Sequence, residues 1–182
     1  MRAHRFAVAV AIVVSCVALA ACSPKGNTLP APTSSASDAP TLEAAVAGYN
    51  AMLAELRDAV STEYPDATWR KDVSQAQKTG GGTDGTWRVL SPTWVIGAPI
   101  ADDEAARDAI VQKANGILHA HGFVDLQTLV AKPGQFAYVA DDRWGTKVDF
   151  GGSKLTTLDY RTGDLPSSDP APQKPLGPEL GG

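Results

Sequence analysis

Apolar residues first recur with a helical period at Leu42, Ala45, Val46, Tyr49, Met52, Leu53, Leu56 and Val60. Spacings of three and four place all eight on one stripe, which predicts an amphipathic helix with Thr41 as its N-cap and Tyr64-Pro65 as its end. Beyond Pro65 the period changes. Residues 67–73 and 86–91, the latter continuing through 93–96, read as strands joined by a polar loop that contains 78–85. Pro92 inside the second run marks a bulge or an edge position. A second helix is expected over 102–121. Asp102, Asp103 and Glu104 suit its positive end, Ala106, Ile110, Ala114, Ile117 and Leu118 form its stripe, and Gly122 stands at C′. Alternation of period two then runs through 123–130, 135–140, 146–150 and 154–161, with turns at 141–145 and 151–153, which predicts an antiparallel meander. The order α-β-β-α-β-β-β, with room for one more strand, belongs to the α+β class. The expected architecture is a two-layer sandwich with both amphipathic helices packed on one face of an antiparallel sheet.

The two ends of the chain are patterned differently. Arg2, His4 and Arg5 form a basic front to an uncharged apolar run from Phe6 to Ala21, the form of an export signal. Leu19-Ala20-Ala21-Cys22 closes it as a bacterial lipobox, so cleavage is expected between Ala21 and Cys22, with lipid attached to the Cys22 thiol. A second match at Val13-Val14-Ser15-Cys16 would leave an apolar mature terminus, and Cys22 is the preferred site. The alternatives are an uncleaved anchor, for which sixteen apolar residues fall short of the roughly 20 that span a bilayer, and an ordinary secretory signal. Residues 22–40 and 166–182 are rich in Pro, and nine of the chain's thirteen prolines lie in 23–40 and 166–182. They bury too little apolar surface to offset the entropy of ordering. The expected organisation is therefore a signal peptide at 1–21, a lipidated Cys with a disordered tether at 22–40, one globular domain at 41–165 and a disordered tail at 166–182.

Composition narrows the function classes. With 182 residues, 43% hydrophobic and 20% charged, the chain is neither collagenous, coiled coil, wholly disordered nor polytopic in a membrane. Its 16 basic and 20 acidic residues give a net charge of −4, and loss of Arg2 and Arg5 with the signal makes the mature chain more acidic. Nucleic acid is not an expected partner. The only two cysteines are Cys16 and Cys22, so the folded part has no disulfide and must be held by its own core.

The chain holds few groups that suggest chemistry. His119 and His121 are two apart, and on a helix such residues point about 200° from each other, which argues against a shared metal. The glycines of 78–85 lack the Lys-Ser/Thr and the following helix of a phosphate loop. Asp102-Asp103 and Asp141-Asp142 are adjacent pairs that diverge and serve as helix start and turn. Ser153 sits in a hairpin turn without a G-x-S-x-G elbow. Trp69, Trp87 and Trp94 are expected to pack in the core or hairpins. Trp144, at a turn tip between Arg143 and Gly145, is expected to be partly exposed and is the candidate ligand contact. No catalytic residue, metal ligand or cofactor is assigned.

The lipobox, the first helix with Tyr49, Met52-Leu53 and Leu56, the Trp69 strand, His121-Gly122-Phe123 and the closing segment from Leu158 to Pro166 together resemble the LppA-type lipoproteins of mycobacteria and related actinobacteria. Such proteins carry Thr-Gly-Cys ahead of Leu-Pro with a partner Cys earlier. This chain has Thr162-Gly163-Asp164 and no partner, so the disulfide has no counterpart. The resemblance implies a cell-envelope lipoprotein of unassigned role and supplies no catalytic residue. The expected protein is a non-enzymatic binding or interaction module, tied to the outer face of the cytoplasmic membrane by a diacylglyceryl group on Cys22, with a protein, lipid or cell-wall component as ligand. The alternative is an envelope hydrolase acting on wall material, which needs His119 or His121 within hydrogen-bond reach of Ser, Asp or Glu in a concave site.

Overall fold

A computed structural model describes residues 38–169, apart from 73–76 and 81–84. The signal segment, its Ala21–Cys22 cleavage site, nearly all of the tether, part of the 78–85 loop and residues 170–182 lie outside the described residues. In chain order the elements are α1 (Leu42–Glu63), β1 (Trp69–Asp72), β2 (Gln77–Gly80), β3 (Thr86–Leu90), β4 (Thr93–Ile96), α2 (Glu104–Ala120), β5 (Gln127–Lys132), β6 (Gln135–Asp141), β7 (Lys147–Gly152), β8 (Thr156–Arg161) and β9 (Leu165–Pro166). All pairings are antiparallel. The main path runs β1-β4-β8-β7-β6-β5, and β3 joins it through Leu90 and Arg161 while carrying β2 and β9.

α1 forms where its stripe requires it. Thr41 accepts a hydrogen bond from the Ala44 amide (3.4 Å), and all eight stripe residues are buried, joined by Ala59. α2 is capped by Asp103, whose Oδ1 accepts from the Ala106 amide (3.0 Å). At its other end the Phe123 amide bonds the Leu118 carbonyl (2.9 Å) and the Gly122 amide bonds that of His119 (3.1 Å). This is a Schellman motif, and the positive φ of 84° at Gly122 is why glycine ends the helix. Both helices lie on the face of the sheet that carries Phe136, Tyr138, Val148, Phe150, Leu158 and Tyr160. Between them Leu56, Val60, Ile110, Ala114 and Leu118 meet Val148, Phe150 and Leu158, leaving a gap of only about 10 Å³. A gap that small and that apolar has no room for a ligand. The α+β class and the helices-on-one-face arrangement therefore hold.

Five details depart from the sequence reading. Residues 77–80, expected in a loop, pair as β2 with β3 although QKTG shows no alternation; pairing along β3 rather than burial places them there. Residues 93–96, read as a continuation of the strand before Pro92, form the separate strand β4, which pairs with β1 and β8, whereas β3 pairs with β2 and β9 and meets β8 only at Leu90–Arg161. The strand expected from 123 begins at Gln127, because Phe123 turns into the core and the Leu126 amide is held by Asn115 Oδ1 (2.9 Å) on α2. Pairing also continues past Leu165: Pro166 faces Thr86 in β3, and Ser167 Oγ donates to Glu43 Oε1 (2.6 Å). The inward face of α2 likewise includes Arg107, a charged residue at a buried position, whose Nη1 donates to the Ala101 carbonyl (3.2 Å).

The other face of the sheet is polar. Asp149 stands directly opposite Asp159 across β7 and β8. Asp159 accepts from Thr93 Oγ1 (3.2 Å), and Arg161 lies 3.9 Å from Asp149. Burial, with a smaller contribution from Asp149, pushes the Asp159 carboxyl above its ordinary range against the opposing effect of the Thr93 bond. The folded state thus holds this proton more tightly than the unfolded chain. The associated stability is full below the ordinary carboxylate pKa of about 4 and is lost as pH rises through the folded value. Asp159→Asn should therefore be more stable than the parent at neutral pH, with the gain shrinking towards about pH 4. Urea unfolding at several pH values checks this, and a gain that grows on acidification contradicts it.

Candidate functional site

A groove of about 370 Å³ that includes Trp144 lies between the first half of α1, the end of α2 and the β6–β7 turn. Its floor is Ala44, Ala45 and Gly48, small residues at the edge of α1's stripe of which Ala44 and Gly48 are exposed, and its walls include Tyr49, His121, Asp142, Arg143 and Trp144. A groove exists here because α1 presents no large side chain at these positions.

Asp142 organises the far wall. Its Oδ1 accepts from the amides of Trp144 and Thr146 (both 2.8 Å), which folds the turn around one carboxylate oxygen. Its Oδ2 accepts from the Tyr49 hydroxyl (2.5 Å), and the buried Thr146 hydroxyl donates to the same Tyr49 oxygen (3.0 Å). The turn is thereby bonded to α1 across 93 residues of sequence. Burial, then the bond to Asp142, pushes the Tyr49 phenol above its ordinary value, so it remains a neutral donor. The Tyr49 ring is held edge-on by Phe123 and Tyr160, with centroids 5.6 and 5.4 Å away. From below, Gly163 abuts the turn: a Cβ at this position would lie 2.0 Å from the Trp144 carbonyl oxygen, which is backbone and cannot swing aside.

Trp144 is half-buried, as its place at the turn tip predicts, and the Arg143 guanidinium sits 4.5 Å from its ring centroid. The two histidines diverge as expected. His119 Nε2 lies 2.9 Å from Asp125 Oδ1 on the open surface, and His121 Nε2 lies 3.1 Å from Glu55 Oε1 at the groove wall. Among the described residues no three His, Cys, Asp or Glu side chains are placed to hold a metal. Asp102-Asp103 serves the start of α2, and in Asp141-Asp142 the first residue pairs with Lys147 while the second holds the turn. Among the described residues no serine, threonine or cysteine side chain lines the groove. The site can therefore offer an indole, a guanidinium and an imidazole backed by a carboxylate. Sequence reading missed the roles of Tyr49 and Asp142, which look like a stripe residue and a turn residue; only their juxtaposition reveals the bond between them.

Gly163→Ala should cost about 1–3 kcal/mol, the usual range for overpacking a filled site. It should also change the fluorescence of Trp144, because the turn must lift to admit the methyl group. Chemical denaturation combined with tryptophan emission checks both, and an unchanged midpoint and spectrum contradict the packing described.

The family model LppA, described as a lipoprotein confined to pathogenic Mycobacterium, matches residues 23–167. No curated protein matches the chain. Among solved structures it is similar to the lipoprotein LppA from Mycobacterium tuberculosis, at 16% identity and a TM-score of 0.57, covering 69% of this chain and 78% of that one. It is also similar to a DUF4853 family protein from Actinomyces odontolyticus, at 19% identity and a TM-score of 0.51, covering 78% of this chain and 75% of that one. At these identities the two structures speak for the fold alone. Among the described residues no helix is long and apolar enough to cross a membrane. The match over residues 23–167, with the fold shared by both structures, places the chain in the LppA family of lipoproteins, a family of unassigned biochemical role.

Proposed function

We propose that the chain is an envelope lipoprotein held on the outer face of the cytoplasmic membrane by acylated Cys22, and that its domain is a non-enzymatic binding module taking its ligand in the Tyr49–Trp144 groove. Membership of a lipoprotein family and the lipobox at Leu19–Cys22 support the anchor. Residues 23–40, read from their composition as a tether, would span roughly 20–25 Å as a random coil, which would keep the domain beside the membrane. The observation that carries the binding reading is the groove itself, with a floor of small residues and a half-buried indole on a turn fixed by three hydrogen bonds to Asp142. Rigid aromatic walls of this kind favour binding because little conformational freedom is lost when they are covered.

One observation favours the hydrolase alternative. His121, at the groove wall, is within hydrogen-bond distance of Glu55, so an imidazole oriented by a carboxylate faces a concave site. Such a pair could activate water, although among the described residues the groove offers it no side-chain hydroxyl or thiol nucleophile other than the engaged Tyr49.

Gly48→Leu separates groove function from stability. A Cβ built at Gly48 meets nothing within 4 Å, so a leucine enters open space. Loss of a mid-helix glycine should stabilise α1 by up to about 1 kcal/mol. The expected outcome is a domain at least as stable as the parent that no longer retains the lipid, glycan or peptide found with the native protein by native mass spectrometry. Retention by the filled variant would overturn the groove assignment. Turnover lost in His121→Gln with binding preserved would favour the hydrolase. Intact mass of the native chain beside Cys22→Ala tests the anchor, with acyl mass expected on the parent alone.

A further inference from the structure

More than two turns beyond Tyr49 along α1, a different cluster forms where the helix crosses the β1 edge of the sheet. β1 and β4 pair with Lys71 opposite Trp94 and Trp69 opposite Ile96. Trp69 Nε1 donates to the Arg57 carbonyl (3.3 Å), which ties the helix to this edge. The Arg57 guanidinium carbon lies 3.4 Å from the centroid of the Trp94 ring, and the Lys71 ammonium 5.3 Å from it. An indole face attracts cations, and this one gathers two. Burial lowers the affinity of both for their protons, and Arg57 lowers that of Lys71 further.

Two like charges on one ring would ordinarily be offset by a carboxylate, which this acidic chain has in excess. Arg88, Lys113, Lys147 and Arg161 each have such a partner. Among the described residues Arg57 and Lys71 have none within ion-pair distance, Asp58 acting on Arg57 only through its field. Arg57 uses its Nε for the Leu53 carbonyl (3.3 Å), and its terminal Nη groups and the Lys71 ammonium have no hydrogen-bond partner among the described residues. Arg57, Lys71 and Trp94 are all half-buried, so the cluster is open to solvent yet partly desolvated.

We propose that Arg57, Lys71 and Trp94 form a binding site for a phosphate-bearing anion, of the kind presented by an anionic phospholipid headgroup or by free phosphate. The guanidinium's terminal nitrogens suit a phosphate's oxygens, the ammonium adds a point charge, and the indole suits the boundary between headgroups and water. For a chain of a lipoprotein family, whose domain is acidic overall, a basic aromatic corner would orient the domain on an anionic surface that otherwise repels it.

The test uses the full chain reconstituted in phosphatidylcholine vesicles with or without phosphatidylglycerol, and separately in phosphatidylcholine vesicles titrated with inorganic phosphate. The rate at which an amine reagent modifies each lysine is read by mass spectrometry. Lys71 should react about fivefold more slowly when the anion is present, while Lys132, at the opposite edge of the sheet on β5, should be unchanged. Slowing by phosphatidylglycerol alone identifies the headgroup, and slowing by inorganic phosphate as well identifies a soluble anion. Arg57→Gln should abolish the protection, whereas Arg57→Lys and Lys132→Gln should keep most of it. Equal slowing at Lys71 and Lys132, or no slowing with either anion, would overturn the proposal. The lysine rates of the unmodified chain decide this even if Arg57→Gln misfolds.

Discussion

The hydrogen bond from Tyr49 to Asp142 is the constraint on which the described architecture of the groove depends. It joins a helix from the start of the domain to a turn near its end, and it does so with a carboxylate that already holds the turn through two backbone amides. Hydrogen bonds to a carboxylate are stronger than those between neutral groups. The Tyr49 ring is anchored in the core by Phe123 and Tyr160, which makes the phenol a fixed post rather than a mobile donor. Without the bond, the turn would keep its amide bonds to Asp142 and its packing on Gly163 but lose its hydrogen bond to α1.

The same logic explains why most of the fold was legible in the sequence and the site was not. The α1 stripe is eight residues at helical spacing, and every one is buried, because a helix packed on a sheet has only one face to offer it. Gly122 ended α2 as expected because its positive φ admits few other residues. By contrast β2 is built from Gln77, Lys78, Thr79 and Gly80, whose place is set by β3 and not by their own hydrophobicity. Trp144 could be singled out because an indole at a turn tip is unusual. Tyr49 could not, since its ring satisfies the stripe and the sequence holds no trace of what its hydroxyl meets. The facing pair Asp149 and Asp159 was invisible for a similar reason, as ten residues of chain separate two groups that the hairpin register sets side by side.

Charge is distributed with the same economy. Arg88, Lys113, Lys147 and Arg161 each meet an Asp or Glu, in pairs that contribute little to stability at a surface. Asp164, at the position where the family resemblance implies cysteine, bonds Arg88 at 2.8 Å, so an ion pair acts at this point of the fold. At the Arg57–Lys71–Trp94 corner two cations instead share one indole, and this corner lies on the opposite half of α1 from the groove. One helix thus carries two surfaces of different chemistry, an indole-walled groove and a cationic edge, each positioned by the same buried stripe.

The most direct test of this account is amide hydrogen exchange in the wild type and in Tyr49→Phe. Removing one hydroxyl leaves the Asp142 Oδ2 and the Thr146 hydroxyl without their shared partner while sparing the ring and its packing. Faster exchange confined to the Trp144 and Thr146 amides, with the amides of Val139, Val148 and Met52 unchanged, is the expected result. Exchange at Trp144 and Thr146 indistinguishable from the wild type would show that the turn holds itself, and that the bond to α1 does not set the groove.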